Sequence, residues 1–188
     1  MSFTLTASAA ALSILGINLG EPLAVPECEF KKQERWEVRR GVAPRYVIHP
    51  DSVCHKVRRP NETVAVAFPI SARLPLVNRN SLVVQLVNQK VEYIGLHTRG
   101  TVWQQRDLET LAAKFGDPAK LEKVPLQNGF GAESIGIKAS WTFLEGYQAS
   151  FKSYGGRDGQ GYFWIGKPSA KEAYEAPVRA LLKPDREL

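Results

Sequence analysis

The chain has 188 residues, of which 44% are hydrophobic and 23% are charged, and its formal net charge at pH 7 is +6. This composition is close to the average of globular domains, and it excludes disordered, collagenous and coiled-coil proteins. No run of about 18 uncharged apolar residues occurs, which excludes an ordinary transmembrane helix.

The first residues of the chain resemble the end of a signal peptide. Residues 1–11 read MSFTLTASAAA and end in small residues of the Ala-x-Ala type, which precede signal-peptidase cleavage sites. The positively charged region and the long apolar region of a complete signal peptide are missing. We therefore predict a signal remnant or a disordered N-terminus over residues 1–11, with a cytosolic N-terminus as the alternative.

The next segment is predicted to be irregular and tethered by a disulfide. Residues 12–23 favour a strand that enters a turn, followed by a short helix whose first turn carries Glu21 and Pro22. Cys28 and Cys54 bracket the segment that follows, in which prolines interrupt any long element. A disulfide between them would close a loop of about 25 residues and contribute roughly 3–4 kcal/mol. Two buried, reduced cysteines are the alternative.

All the excess positive charge lies in this same part of the chain. Between Lys31 and Pro60 there are nine basic and three acidic residues, a balance that equals the net charge of the whole protein. Such a segment favours acidic partners, which include acidic proteins, anionic membrane surfaces and nucleic acid. A solvated basic loop without a partner is the alternative.

Strands are predicted directly after the basic segment. Thr63–Phe68 favours one strand, and Ser81–Leu96 favours a hairpin that turns at Asn88 and Gln89. β-Branched and aromatic residues dominate both arms of this hairpin, and Asn tolerates the left-handed turn geometry.

A helix is predicted over residues 103–115, because Leu and Phe residues recur there at helical spacing. Thr101 and Gln104 fit a capping box at its start, and Gly116 is a typical helix end.

A second group of strands and a last helix complete the chain. Three strands are predicted, with glycine-containing turns between them: Ile137–Phe143, Tyr147–Tyr154 and Tyr162–Ile165. Ser169 and Glu172 then fit a capping box that opens a C-terminal helix, which Pro177 is expected to bend or split.

These elements predict an α+β fold in which an antiparallel sheet is built from two meanders and accompanied by two to four helices. Residues 12–188 are predicted to form a single domain, in which residues 12–98 and 91–188 are two related tandem units.

The second half of the chain, from Val91 to about Ile165, carries three short motifs. They are IGLHTRGT, LAAKFGDP at Leu111–Pro118, and ASWTF followed by YQASF. With these motifs the chain resembles the small export-linked modules typified by the outer-membrane assembly lipoproteins and the β-lactamase inhibitor proteins. The resemblance implies a helical element before an antiparallel sheet whose face or loops bind another protein. The chain departs from the lipoprotein pattern, because no lipobox cysteine follows the signal-like segment.

The sequence carries no motif typical of catalysis. A P-loop, a Gly-x-Ser-x-Gly elbow and a His-Glu-x-x-His pair are all absent. Gly155–Gly161 lies between two predicted strands, so it favours a hairpin turn over a phosphate-binding loop. The histidines lack metal-ligand spacing, and nothing selects two acids as a catalytic pair. We therefore predict no enzyme activity, no catalytic residue, no metal site and no cofactor.

The predicted function is protein binding outside the cytosol. Trp36 lies among arginines, and Trp and Arg are the commonest hot-spot residues of interfaces. We expect a periplasmic or secreted bacterial inhibitor or immunity protein that caps an acidic enzyme or toxin. Its partner-binding residues are predicted in the Cys28–Cys54 segment and at the Gly155–Gly161 turn: Arg35, Trp36, Arg39, Arg40, Tyr46, Arg157 and Asp158.

Other partners and functions stay open. Nucleic acid is not expected, because it is scarce in the periplasm, whereas peripheral membrane contact is compatible with the basic segment. The first alternative function is an envelope assembly or scaffold protein. The second is a hydrolase that acts on cell-envelope polymers.

Overall fold

The structure, a computed structural model, describes most of the chain between residues 12 and 182. The described residues are 12–29, 39–40, 52–59, 62–127, 129, 131–155 and 159–182. Within them two α-helices have defined bounds, α1 (Gln104–Phe115) and α2 (Pro168–Leu182). Short 3-10 turns lie at Ile70–Ala72, Thr101–Trp103 and Leu144–Gly146.

Ten strands form two antiparallel sheets in the described part of the chain. A small hairpin consists of β1 (Ser13–Ile14) and β2 (Ile17–Asn18). The main sheet contains eight strands: β3 (Cys54–Arg59), β4 (Thr63–Ala67), β5 (Ser81–Val87), β6 (Lys90–Thr98), β7 (Lys120–Gln127), β8 (Glu133–Thr142), β9 (Gln148–Lys152) and β10 (Gly161–Gly166). Their order across the sheet is β3-β4-β5-β6-β10-β9-β8-β7. The first half of the sheet is thus β3–β6, the second half is β7–β10, and they join where β6 pairs with β10.

The antiparallel sheet is confirmed, but the prediction of an α+β fold with two to four helices is wrong. The described residues are mostly antiparallel β, with four strands in each half of the main sheet instead of the predicted three. The two meanders are halves of one continuous sheet, because six residue pairs join β6 to β10.

Two strands were missed because their sequences do not resemble those of buried strands. β3 reads CHKVRR, and β7 reads KLEKVPLQ and contains Pro125. Both strands lie at the edges of the sheet, where charged side chains and proline are tolerated because one side of the strand needs no partner.

The short helix predicted at Glu21 and Pro22 does not form. Gly20 lies in a turn with a φ of 80°, and the segment then bonds to β6: the Gly20 N–H donates to the Val91 carbonyl at 2.8 Å, and the Val91 N–H donates to the Glu21 carbonyl at 2.8 Å. The helix-start signals are overridden here by a non-local strand-like pairing, which completes the backbone hydrogen bonds of β6.

The helix predicted over residues 103–115 is confirmed as α1, although its capping box is wrong. The Gln104 side chain does not cap the helix, because its Nε2 donates to the Ile135 carbonyl at 2.8 Å and its Oε1 accepts from Ser153 Oγ at 2.6 Å. Gly116 ends the helix with a φ of 82°, and its carbonyl accepts from Trp141 Nε1 at 2.8 Å. The hairpin turn at Asn88 and Gln89 is also confirmed, since both residues have positive φ.

The core lies on one face of the main sheet. Alternate strand residues point to this face, and its fully buried members include Val66, Val84, Ile94, Phe151, Phe163 and Ile165. α1 covers the face with Leu108 and Leu111, and the Phe115 ring stacks on Phe163 with centroids 5.8 Å apart. The β1–β2 hairpin adds Ile14 and Ile17 to the same cluster. α1 and the β1–β2 hairpin thus bury the central strands on this face, whereas side chains near the β7 edge, such as Leu121, stay exposed.

Candidate functional site

The second face of the main sheet, called the open face here, carries a row of aligned residues that crosses all eight strands. Its members pair in register from one edge to the other: Lys56, Ala65, Val83, Gly95, Trp164, Ser150, Ser140 and Lys120. Residues opposite one another on adjacent strands have side chains on the same face. Small residues dominate the row, lysines end it, and the large side chain of Trp164 lies near its centre.

Helix α2 covers part of the first half of the open face. It contacts β5 and β6, and its Tyr174 ring stacks on Tyr93 with centroids 5.4 Å apart. Tyr93 is fully buried as a result, and Ala170 of α2 is buried as well. This half of the face therefore contributes to the stability of the fold.

A pair of tyrosines marks the boundary between the two halves. The hydroxyls of Tyr93 on β6 and Tyr162 on β10 form a hydrogen bond with each other. Gly95 lies beneath them, and a Cβ at this position would clash with both hydroxyl groups. Burial raises the pKa of Tyr93 and of Tyr162 above the ordinary value, so both side chains keep their protons at neutral pH.

A cleft lies between α2 and the second half of the open face, beside the part of the face that α2 covers. It has a volume of about 280 Å³, and six residues of β9, β10 and α2 line it: Ser150, Lys152, Tyr162, Trp164, Lys171 and Glu175. We call it the α2 cleft. Lys171 Nζ lies 2.7 Å from Glu175 Oε1 and 5.4 Å from the centroid of the Trp164 ring, so the helix side of the cleft is a neutral ion pair beside an aromatic wall.

Beyond the cleft, the second half of the open face is rich in lysine. Lys138 on β8 pairs directly with Lys152 on β9. Glu122 on β7 contacts Lys120 and lies 3.2 Å from Lys138 Nζ, and hydrogen bonds from these two lysines lower the pKa of the Glu122 carboxyl. Among the described residues no carboxylate forms an ion pair with Lys152. Lys152 is thus the lysine of this cluster that has no carboxylate partner in the described part of the chain.

A second cleft lies at the other edge of the sheet, next to the disulfide. Its volume is about 380 Å³, and its lining includes Lys56, Arg58, Asn80 and Ser81. The Cys28–Cys54 disulfide is confirmed, with the two Cα atoms 4.8 Å apart. The disulfide packs on Ala67 and so ties the basic segment to the first half of the sheet. Such a bond is typical of proteins outside the reducing cytosol.

The predicted partner-binding residues are described only in part. Arg39 and Arg40 are exposed. Arg35, Trp36, Tyr46, Arg157 and Asp158 lie outside the described residues, so their role stays a prediction.

Sequence reasoning missed the residues of the α2 cleft. The alternation in the last two strands contained a signal: Phe151 and Phe163 are buried, so their neighbours Lys152, Tyr162 and Trp164 must point to the opposite face. The local pattern does not contain the order of the strands, in which β10 lies between β6 and β9, or the return of α2, whose Lys171 and Glu175 line the same cleft.

Neither a metal centre nor a membrane-spanning helix is found in the part of the chain that the structure describes. No group of three or more His, Cys, Asp or Glu side chains there could hold a metal ion. None of the described helices is long and apolar enough to cross a membrane.

Comparison with known proteins adds no assignment to this geometry. No protein-family model matches the chain, and neither a curated protein nor a solved structure matches it. The resemblance to assembly lipoproteins and β-lactamase inhibitor proteins stays a prediction from its motifs.

Proposed function

We propose that this chain is an exported protein-binding module, an inhibitor or immunity protein that caps an acidic enzyme or toxin in the periplasm or outside the cell. The observation that carries the proposal is the second half of the open face, where the α2 cleft adjoins an accessible sheet surface. Sheet strands hold this surface rigidly, which reduces the entropic cost of binding a partner.

The residue types of this surface favour protein recognition. Trp164 and Tyr162 are both half-buried, and Trp and Tyr are enriched among interface hot spots. Ser140 and Ser150 lie beside them, and such small side chains let a partner approach the sheet closely. Aromatic anchors beside small polar residues are the composition expected of a binding surface.

The charge of this surface favours an acidic partner. Four lysines and two glutamates lie on it or around the cleft, which leaves two positive charges in excess: Lys120, Lys138, Lys152, Lys171, Glu122 and Glu175. Opposite charge on the partner would accelerate association, and salt would screen this attraction. The exposed arginines of the basic segment, Arg39 and Arg40, have the same sign.

The proposal is tested by affinity capture of the tagged protein from an extract of its native host, at low and at high salt. Ser140→Arg places a bulky side chain on the open face. Leu121→Arg is the matched control, because Leu121 is 53% exposed and lies on the opposite face of the neighbouring strand. We expect the unmodified protein and Leu121→Arg to retain one acidic protein in stoichiometric amount at low salt, and Ser140→Arg to retain none.

Other outcomes would contradict the proposal. Equal retention by Ser140→Arg and Leu121→Arg would exclude the open face as the interface. Recovery of membrane-complex components would favour a scaffold, and recovery of no protein would favour an enzyme. A further variant, Arg39→Glu with Arg40→Glu, tests the basic segment: unchanged affinity and salt dependence would exclude these two residues from the interface.

A further inference from the structure

The α2 cleft has the size and position of a subsite for one side chain of a partner. Its volume of about 280 Å³ lies below the roughly 300–1,000 Å³ of typical small-molecule sites. It opens onto the surface that carries Ser140 and Ser150, so a protein docked on this surface could place a side chain in it. Its lining is mixed, with an aromatic wall, two hydroxyl groups, two lysines and the carboxylate of Glu175.

The charges around the cleft favour a negatively charged occupant. Lys152 lies directly opposite Lys138 on the adjacent strand, and like charges in this position repel each other. Glu122 is shared by Lys120 and Lys138, from whose Nζ it lies 3.2 Å away, and Glu175 lies 2.7 Å from Lys171. Within the described ranges Lys152 has no such carboxylate, so an anion beside it would relieve the repulsion.

Hydroxyl donors complete the site. Tyr93 and Tyr162 together carry two hydroxyl protons, and their mutual hydrogen bond uses one of them. The second proton can be donated to a ligand from Tyr162, which lines the cleft. Since burial raises the pKa of both tyrosines, this donor is present throughout the neutral range. Ser150 supplies another hydroxyl on the same side as Lys152.

We propose that the α2 cleft binds a carboxylate, the side chain of an Asp or Glu residue on the partner protein, with Lys152 as its counter-ion and Tyr162 and Ser150 as hydrogen-bond donors. That this carboxylate belongs to a protein partner rests on the proposed function. An ammonium and two hydroxyl groups form charge-assisted hydrogen bonds with a carboxylate, whereas a neutral amide of the same shape lacks the charge.

The test uses peptides as probes, so it needs no knowledge of the partner. An N-acetylated, C-amidated tetraglutamate peptide is titrated into the full chain labelled with 15N, and a tetraglutamine peptide of the same form is the control. We expect the tetraglutamate peptide to shift the amide signals of Ser150 and Lys152 and the indole signal of Trp164, with the indole signals of Trp103 and Trp141 unchanged. Tetraglutamine is expected to shift none of them.

Two lysine variants then test whether Lys152 is the counter-ion of the bound carboxylate. Lys152→Gln is expected to weaken tetraglutamate binding at least fivefold. Lys123→Gln is the matched control, because Lys123 is an exposed lysine of β7 that pairs with Ile137 of the core face. Equal binding of the two peptides, or equal weakening by the two substitutions, would overturn the carboxylate site.

The carboxylate site and the proposed function can fail separately. Tetraglutamate binding that depends on Lys152, in a protein that captures no partner, would support the carboxylate site and contradict the binding function. Capture that depends on Ser140 but not on Lys152 would support the function and overturn the assignment of the cleft.

Discussion

The two halves of the open face share one sheet and differ in what covers them. In the first half, Tyr93 and Ala65 are buried, and α2 packs on β5 and β6. In the second half, Ser140 and Ser150 are half-exposed, and Lys152 is exposed. The register of the strands is continuous across both halves, so the pleat alone does not distinguish them. The cover buries the β6 side of the first half, whereas the second half and the cleft beside Lys56 and Arg58 stay accessible.

The direction of α2 explains why the cover stops at the centre of the sheet. β10 ends at Gly166 beside β6, and the backbone N–H of Lys167 donates to the Glu92 carbonyl at 2.8 Å. Lys167 Nζ lies 3.0 Å from the Glu92 carboxylate, which also accepts from the Tyr147 hydroxyl at 3.3 Å. This partly buried network fixes the start of α2 on the β6 side, and the helix continues through Pro177.

The largest expected effect is a difference in stability loss between substitutions on the two faces of one strand. Phe163 is fully buried on the core face of β10, and Phe163→Ala should lower the free energy of unfolding by about 3–5 kcal/mol. Trp164 is its neighbour on the open face and is half-buried, so Trp164→Ala should cost less than half as much. Urea denaturation followed by circular dichroism measures both values. A larger loss for Trp164→Ala would mean that the open face is the main core.

Removal of the disulfide should destabilise the protein somewhat less. Cys28→Ser with Cys54→Ser opens a loop whose closure is worth roughly 3–4 kcal/mol, and the same denaturation experiment measures the loss. Reductant should destabilise the unmodified protein by a similar amount and leave the double variant unchanged. Equal free energies of unfolding for the double variant and the unmodified protein, both measured without reductant, would mean that the disulfide does not stabilise the fold.

Added methyl groups should distinguish the covered half from the uncovered half. Gly95→Ala introduces a Cβ against the hydroxyls of Tyr93, which is buried, and Tyr162, which is half-buried, and such overpacking costs about 1–3 kcal/mol. Gly136→Ala in the second half meets the Tyr154 ring at 2.5 Å, but this ring is half-exposed and can move outward. The loss for Gly136→Ala should therefore be smaller, and equal thermal stabilities of the two variants would contradict the difference in cover.

A smaller effect is expected from His97, which lies on β6 near the boundary of the halves. Burial, and then the charge of Arg79, lowers the pKa of His97 below its ordinary value of 6.5. The unfolded chain therefore binds more protons than the folded protein once the pH falls through 6.5. The stability should be full above pH 6.5 and decline as the pH falls toward the lowered pKa. His97→Gln should remove this decline, and an unchanged pH profile of urea denaturation would contradict it.

Local patterns predicted the elements whose signals are local. The turn at Asn88 and Gln89 and the helix end at Gly116 follow from residues adjacent in sequence, and the disulfide follows from the presence of two cysteines. Edge strands were missed, because exposed strands need no apolar alternation and β3 and β7 are rich in charge. Helices were overpredicted, since Glu21 and Pro22 carry helix-start signals that the pairing with β6 overrides.

The candidate site depends on contacts that no local pattern contains. Trp164 meets Gly95 across strands 69 residues apart in the chain, and Lys152 meets Lys138 and Tyr162 on its two neighbouring strands. Only the order of the strands brings these side chains together. The basic segment was visible in the sequence because its charges are contiguous, which explains why the predicted binding residues concentrated there.

The most direct test of the binding surface is site-specific photocrosslinking in the native host. The photoreactive residue p-benzoylphenylalanine is placed either at Ser140 on the open face or at Leu121 on the opposite face. We predict a covalent adduct of defined mass from position 140, no such adduct from position 121, and loss of the adduct at high salt in the extract. An adduct from position 121 alone, or no adduct from position 140, would contradict the claim that the second half of the open face binds a protein partner.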